Sequence, residues 1–276
     1  MAPDDVRSIS SDRIALTVEY DGSAFSGWQR QKSPALNTVQ GILETALAKV
    51  ADQAVTVICA GRTDAGVHAT SQVVHFDCRK PRENKAWILG VNSLLPRGVR
   101  VVAATPVEET FHARFSADYR RYCYLIRSAP VASGIFHGKV TCLKRPLDTQ
   151  VMHQAAQRLL GERDFSAFRA AGCQSASAYR NVHAVSVVEW CGITVIDIRA
   201  NAFLQHMVRN ISGALIDIGT GKQEEAWIGE VLESKDRRKA GVTAPPDGLY
   251  LVEVGYDESA LPGNKPRFPL LLAGYE

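Results

Sequence analysis

The sequence of 276 residues lacks the patterns that would define its class at once. No apolar run approaches the length of a membrane span, which argues against a helical membrane protein, and the first residues contain no apolar core of a secretion signal. The six cysteines form no C-x-x-C pair and have no histidine at zinc-ligand spacing, so we predict no metal site and expect small buried side chains in a reducing cytoplasm. Neither a P-loop nor a G-x-G-x-x-G motif is present, so no nucleotide-binding turn is predicted.

Positive charge is modest overall and uneven along the chain. The net charge of +3 does not by itself indicate a nucleic-acid partner. Between His112 and Arg127, however, four arginines and three tyrosines accompany a single acid, Asp118. Arginine can pair with phosphate and tyrosine can stack on bases, so the segment is consistent with nucleic-acid binding. A twisted strand with a solvated arginine face explains the same pattern, and this stretch alone favours that simpler interpretation.

Hydrophobic periodicity predicts an α+β protein. Strands are predicted over 13–22, 55–60, 71–78, 99–105, 112–127, 182–190, 193–200 and 248–256, and helices over 37–50 (with Asn37 as N-cap), 84–95, 148–161, 204–219 and 224–234. Their order predicts two similar α/β-sandwich halves with mainly antiparallel sheets, residues 12–111 and 112–256. Residues 257–276, which include three prolines, are predicted to form an extended and loosely held tail.

The segment AGRTDAGVHA, residues 60–69, is the first candidate for a site. It is too polar and too rich in glycine for a core, and it follows a predicted strand, so we expect a loop at a strand end. Gly61 and Gly66 permit backbone angles closed to other residues, which allows the loop to direct the Asp64 carboxylate into a cleft. The alternative is an ordinary turn, and the motif taken alone favours it.

Arg209 is the second unusual residue, because it interrupts the apolar helix face of the segment FLQHMVRN, residues 203–210. A buried guanidinium without a partner costs several kcal/mol, so an acid is expected beside it. We nominate Asp64 as that acid. The segment FSGWQRQ, residues 25–31, is predicted to be an exposed turn, with ordinary loop packing as the simplest role for Trp28.

Seven blocks of the sequence, in this order, resemble the bacterial tRNA pseudouridine synthases A. They are YDGSAFSGWQRQ, TVQGILETAL, AGRTDAGVHA, NSLLP, FHARFSADYRRYCYLI, FLQHMVRNISG and TAPPDGLYLVEV. The resemblance extends from about Ile14 to Tyr256, and the block containing Asp64 is the most specific. The N-terminal extension and the tail lie outside it.

The resemblance implies that uridine is isomerised to pseudouridine at positions 38, 39 and 40 of the tRNA anticodon stem-loop. It implies a homodimer that needs no cofactor and has a central basic active-site cleft. The N-glycosidic bond breaks, the uracil turns in the site, and ribose C1′ is rejoined to base carbon C5. Asp64 is then a nucleophile toward uracil C6 or ribose C1′, or the base of an elimination, and Arg209 keeps it ionised and oriented.

The family pattern also implies residues that hold the substrate. Tyr122 is expected to stack on the target base and to assist removal of the C5 proton, with Leu249 as the opposite wall. Arg62 is expected to fill the gap left by a flipped-out nucleotide. Further contacts to the RNA backbone are expected from Arg82, His112, Arg114, Gln174 and Ser175.

Two functions from other classes also fit parts of the sequence. An RNA-binding module without chemistry would have the same basic, aromatic strand, but it would not require Asp64 beside an arginine. A glycoside hydrolase acting on free nucleosides would need a second carboxylate at a defined distance, and no candidate stands out in the sequence.

Overall fold

A computed structural model describes residues 12–31, 36–80 and 82–275. Within these ranges the strands are β1 (Arg13–Tyr20), β2 (Ile58–Cys59), β3 (His68–Asp77), β4 (Val99–Pro106), β5 (Tyr119–Ser128), β6 (Thr141–Leu143), β7 (Gly161–Asp164), β8 (Tyr179–Trp190), β9 (Ile193–Ala200) and β10 (Leu249–Gly255). They form one sheet in the order β4–β1–β3–β10–β5–β9–β8–β7, with β2 paired to β3 and β6 paired to β5. Only the β3–β10 and β5–β6 pairs are parallel. The predicted class, α+β with a mainly antiparallel sheet, is confirmed.

The sheet continues across the predicted boundary between residues 111 and 112. β10, which is close to the end of the chain, lies between β3 and β5, so a C-terminal strand pairs directly with a strand of the N-terminal half. This arrangement places the loop before β3 next to elements from the far end of the sequence. Periodicity could not predict it, because strand order depends on long-range pairing.

The helices of the described ranges are α1 (Val39–Ala51), α2 (Val91–Leu94), α3 (Thr149–Ala156), α4 (Met207–Gly219) and α5 (Trp227–Ser234), and a π-helical stretch over Ala86–Gly90 leads into α2. The N-cap of helix α1 lies one residue later than predicted. Its N-cap is Thr38, whose hydroxyl accepts a hydrogen bond from the N–H of Gly41 at 3.4 Å, while Asn37 donates to the carbonyl of Ala24. The prediction of Asn37 as the cap is therefore wrong.

The two faces of the sheet are covered by different parts of the chain. Along β5, Tyr122 and Tyr124 belong to the large hydrophobic core shared with the helices, whereas Cys123 and Leu125 belong to a smaller core on the other face. Leu272 of the tail is fully buried in this smaller core. The tail is therefore packed against the sheet, and the prediction that it is loosely held is wrong.

The cysteines are less buried than predicted. All six are free, but only Cys78 and Cys123 are buried, while Cys191 is exposed and the other three are half-buried. Cys191 and Gly192 both have positive φ angles, 49° and 76°, in the turn between β8 and β9. This turn is where the sequence predicts it, and its left-handed angles suit a two-residue hairpin connection.

Candidate active site

The loop that carries Asp64 is hydrogen-bonded to an earlier loop of the chain, residues 25–31. The backbone N–H of Trp28 donates to the carbonyl of Thr63 at 3.0 Å, and the hydroxyl of Thr63 lies 2.7 Å from that of Tyr20. Gly27 has a φ of 94°, and a Cβ there would lie 3.0 Å from the Thr63 carbonyl oxygen and 3.2 Å from the Asp64 carbonyl carbon. Only glycine permits this approach. Trp28 is 1% exposed, so the predicted exposed turn is in fact a buried support.

The end of the same loop is fixed by the segment before β10. Gly66 has a φ of 80°, and a Cβ there would lie 2.8 Å from Cγ of Pro246. Its N–H donates to the carbonyl of Phe25 at 3.4 Å, and the N–H of Val67 donates to the carbonyl of Asp64 at 3.2 Å. At the start of the loop, the Gln72 amide donates to the Gly61 carbonyl at 2.6 Å. Asp64 therefore sits on a turn that is hydrogen-bonded on both sides.

The Asp64 carboxylate contacts two side chains of the turn that opens α4. Nη1 of Arg209 lies 3.3 Å from Oδ2, and Nε2 of His206 lies 3.5 Å from the same oxygen. Arg209 is itself anchored, because its Nε donates to the carbonyl of Ala244 at 2.8 Å and its own carbonyl accepts from the N–H of Ala244 at 3.1 Å. The acid expected beside Arg209 is thus present, and it is Asp64.

Tyr122 lies beneath the start of the Asp64 loop. A Cβ at Gly61 would be 3.7 Å from the Tyr122 hydroxyl, and the ring packs edge-on against Phe203 with a centroid distance of 5.1 Å. Burial raises the pKa of Tyr122 above its ordinary value; the charge of Arg120 opposes this rise, and the charge of Asp64 adds to it. The phenol therefore keeps its proton at neutral pH. Leu249, also buried, lies opposite Tyr124 on β10, on the same face of the sheet.

A buried arginine, Arg120, connects the Asp64 loop with the loop before β5, residues 112–118, which carries the expected RNA contacts His112 and Arg114. The guanidinium of Arg120 donates to the carbonyls of Ala60 at 2.9 Å, Arg114 at 2.5 Å, Ala117 at 3.1 Å and Asn201 at 2.9 Å. Arg120 is only 7% exposed, and burial lowers the pKa of its guanidinium. Sequence reasoning placed this arginine in a basic strand and missed its bridging position.

The arginine-rich segment is therefore only partly a surface feature. The strand begins at Tyr119 and not at His112, since residues 113–116 form a turn ahead of it. Arg120 is buried, and Arg121 pairs with Asp197 at 2.6 Å and with Glu253 at 3.7 Å. Neither proposed pattern, a row of phosphate contacts or a solvated arginine face, describes the strand itself.

The loop before β5 keeps its polar groups at the surface. Arg114 is exposed, and its guanidinium lies 5.5 Å from the ring centroid of Phe115. Phe115 is 75% exposed and stacks on His112 at 4.3 Å. Burial lowers the pKa of His112, whose Nδ1 accepts the N–H groups of Arg114 and Phe115. Phe115 was not singled out from the sequence, although an aromatic next to Arg114 in a basic segment was a usable signal.

The other expected RNA contacts are spread over the surface. Arg62 is exposed two residues before Asp64. Gln174 is exposed, and the Ser175 hydroxyl accepts from Nη2 of Arg180 at 2.7 Å. Arg82 donates to the carbonyl of Val50 at 3.3 Å and follows the far end of the ten-residue β3. At the usual rise per residue that end is about 30 Å from the Asp64 loop, so the structure does not bring Arg82 to the carboxylate.

Two depressions of the described surface lie away from Asp64. One, of about 290 Å³, is lined by residues of β1, β4 and 261–267, and the other, of about 360 Å³, by residues of 158–164 and 229–235. No helix of the described ranges combines the length and the apolarity needed to cross a bilayer.

Chemically, the site offers one carboxylate whose Oδ2 is held by a guanidinium and whose Oδ1 makes no hydrogen bond within the described residues. Such a carboxylate can act as a nucleophile or as a base. The fold and the site thus define a class: an α+β protein with a single clamped carboxylate beside a buried tyrosine and exposed basic and aromatic side chains.

Comparison with known proteins gives the family. The family model described as tRNA pseudouridine synthase matches residues 16–116 and 155–257. Proteins named tRNA pseudouridine synthase A are similar over nearly the whole chain: one from Alcanivorax borkumensis is 50% identical, covering 94% of this chain and 97% of its own length. One from Legionella pneumophila is 51% identical, covering 94% of this chain and 98% of its own length. One from Shewanella amazonensis is 55% identical, covering 90% of this chain and 94% of its own length. The chain belongs to the tRNA pseudouridine synthase family, and it is an enzyme of the isomerase class.

Proposed function

We propose that this protein isomerises uridine to pseudouridine at positions 38, 39 and 40 of the tRNA anticodon stem-loop, with Asp64 as the nucleophile on a flipped-out base. The observation that carries the proposal is the 3.3 Å contact between Arg209 and Asp64. An RNA-binding module has no need of a clamped carboxylate. The names of the similar proteins, which span nearly all of this chain, support tRNA as the substrate.

Asp64 acts in this proposal through its Oδ1 oxygen. The guanidinium of Arg209 donates to Oδ2 and so restricts the plane of the carboxylate. Attack on uracil C6 or ribose C1′, or abstraction of a proton in an elimination, each uses an ionised oxygen directed at the nucleotide. The three routes share this requirement, and the geometry supports all of them equally.

Tyr122 is proposed to form one wall against the uracil, with Leu249 as the other. Burial raises the pKa of Tyr122, so the phenol keeps its proton in the free enzyme. It can stack on the uracil and donate a hydrogen bond, but it cannot accept a proton until it has lost its own. Tyr122 is 7% exposed, so the uracil can stack on its ring only after the neighbouring residues have moved aside. Removal of the C5 proton would then follow binding.

RNA is proposed to approach over the loops that surround Asp64. Arg62 is placed to fill the space of a flipped-out nucleotide, which costs a few kcal/mol to extrude. Arg114 and His112 would contact the backbone, and Gln174 and Ser175 would extend the contact surface. Arg82 remains a proposed contact only for a part of the RNA that reaches the far end of β3.

The proposed organisation has two similar halves, 12–111 and 112–256, that meet at a basic cleft, followed by the tail 257–276. The match of two separate segments to one family model supports a duplicated unit. We also propose that the enzyme works as a homodimer in the cytoplasm, where its tRNA substrate is found.

The experiment that tests the proposal maps pseudouridine in undermodified tRNA after incubation with the purified protein and no added cofactor. Pseudouridine at one or more of positions 38, 39 and 40 supports it. Stable binding of the tRNA without any pseudouridine would favour the RNA-binding module, and turnover of free uridine would favour a nucleoside hydrolase.

A further inference from the structure

We propose that His206 is a second positioning residue for the reaction, which holds the same oxygen of Asp64 as Arg209 and so presents Oδ1 to the uridine. This inference rests on the proposed role of Asp64. It adds a residue that the sequence motifs did not single out, although it lies inside the block FLQHMVRNISG.

The contact geometry is the first observation. Nε2 of His206 lies 3.5 Å from Oδ2 of Asp64, and Nη1 of Arg209 lies 3.3 Å from that oxygen. The Arg209 contact is a hydrogen bond, whereas the His206 contact is an ion-pair distance without hydrogen-bond geometry; such contacts in unliganded enzymes commonly shorten when substrate binds. When the imidazole closes on Oδ2, a second donor joins Arg209 on that oxygen and further restricts the rotation of the carboxylate.

The backbone of His206 is the second, independent observation. Its φ and ψ are 62° and 3°, the left-handed region, and it stands at the N-cap of α4 without a side-chain capping bond. N-cap residues ordinarily have extended angles and a small polar side chain. The other non-glycine residues with positive φ in the described ranges are Asp52 and Lys235, at helix C-caps, and Cys191, in a hairpin turn, where such angles are usual.

Neighbouring bonds hold this conformation in place. The N–H of Met207 donates to the carbonyl of Leu204 at 3.0 Å, and the N–H of Asn210 donates to the carbonyl of His206 at 2.8 Å. The adjacent Gln205 carbonyl accepts from the N–H of Ala170 at 3.0 Å. Left-handed angles are unfavourable for a non-glycine residue, and such strain collects at functional sites. The strain here places the imidazole against the carboxylate.

The imidazole can act in either charge state. In the imidazolium and in the tautomer protonated at Nε2, the nitrogen that faces Asp64 carries a hydrogen. The charged and titratable groups around it are Asp64 and Arg209, with Arg169 and Cys173 on the segment that contacts Gln205. The role therefore requires a donor at Nε2 and does not depend on a change of charge.

The test compares two substitutions and one control. His206→Gly removes the donor and relieves the backbone, whereas His206→Gln keeps an N–H at nearly the same reach. Cys191→Gly relieves a left-handed residue in the exposed turn between β8 and β9, outside the proposed site, and it serves as the matched control. Each protein is measured for tRNA affinity, for its unfolding midpoint, and for the single-turnover rate of tritium release from tRNA labelled at uridine C5.

We expect His206→Gly to bind tRNA within about twofold of wild type and to react roughly 10- to 100-fold more slowly, the scale expected when a reacting group is misplaced by about 1 Å. His206→Gln should recover most of the rate, and added imidazole should partly restore His206→Gly. Cys191→Gly should react like wild type. A wild-type rate in His206→Gly, or a His206→Gln variant as slow as His206→Gly while both stay folded, would overturn the inference. Absence of product with the wild-type enzyme would overturn the proposed function instead, so the two failures are distinguishable.

Discussion

Arg209 and Asp64 stand 145 positions apart in the chain, and their side chains meet with Nη1 of the arginine 3.3 Å from Oδ2 of the aspartate. The guanidinium is also bound through Nε to the carbonyl of Ala244. The carboxylate is therefore held by a cation that has its own fixed position in the first turn of helix α4.

Arg209→Lys should lower the reaction rate sharply with little loss of tRNA affinity. Lysine keeps a positive charge but has one donor nitrogen, so it does not reproduce the fork in which Nε binds the Ala244 carbonyl and Nη1 binds Asp64. We expect a rate loss of about 100-fold in single-turnover tritium release. A variant with normal rate would show that the fork geometry of the guanidinium is not needed.

Arg120→Met should destabilise the fold by about 3 kcal/mol or more, because it leaves four backbone carbonyls without their buried donor. Chemical denaturation measures this change. Arg238→Met is the matched control, since the side chain of Arg238 is 89% exposed and pairs only with Asp236 among the described residues. It should change the unfolding free energy by less than about 0.5 kcal/mol. Equal effects of both substitutions would contradict the bridging role of Arg120.

Folding stability should fall as the pH rises above about 10. Burial raises the pKa of Tyr20, Tyr122, Tyr124, Tyr250 and Tyr256 above the ordinary value of 10. Above pH 10 these phenols stay protonated in the folded chain, whereas they ionise in the unfolded chain. Each therefore lowers the free energy of unfolding by up to about 1.4 kcal/mol per pH unit. Below pH 10 the two states bind equal numbers of protons on these groups and the effect disappears.

Denaturation curves across this alkaline range test the relation. Tyr250→Phe removes one buried phenol and should reduce the slope of unfolding free energy against pH. Tyr179→Phe changes a residue that is 55% exposed and serves as the control. Identical slopes in the two variants would contradict the assignment.

Arg114→Ala should weaken tRNA binding and lower the slope of log affinity against log salt by about 0.7 to 0.9, the amount expected for one lost phosphate contact. Arg238→Ala changes an exposed arginine that already has an acidic partner, Asp236, and should leave the slope unchanged. If Arg114→Ala also keeps the wild-type slope, Arg114 does not contact the RNA backbone.

The sequence allowed the pairing of Asp64 with Arg209 to be predicted, because a guanidinium in an apolar helix face requires an acid. It also indicated the β8–β9 hairpin through its alternation and its Cys-Gly turn. It did not indicate that Arg120 is buried or that His206 has left-handed angles. The burial of Arg120 arises from contacts between distant segments, and the angles of His206 from local bonds and one distant bond at Gln205; hydrophobic periodicity carries no information about either. For the same reason the packing of Leu272 against the sheet was missed.

The most direct test of the account is Asp64→Asn, a nearly isosteric change that removes the negative charge. We predict that the variant binds tRNA with an affinity close to that of wild type and releases no tritium from tRNA labelled at uridine C5. Normal tritium release by the folded variant would contradict the proposed role of Asp64 and the chemistry built on it.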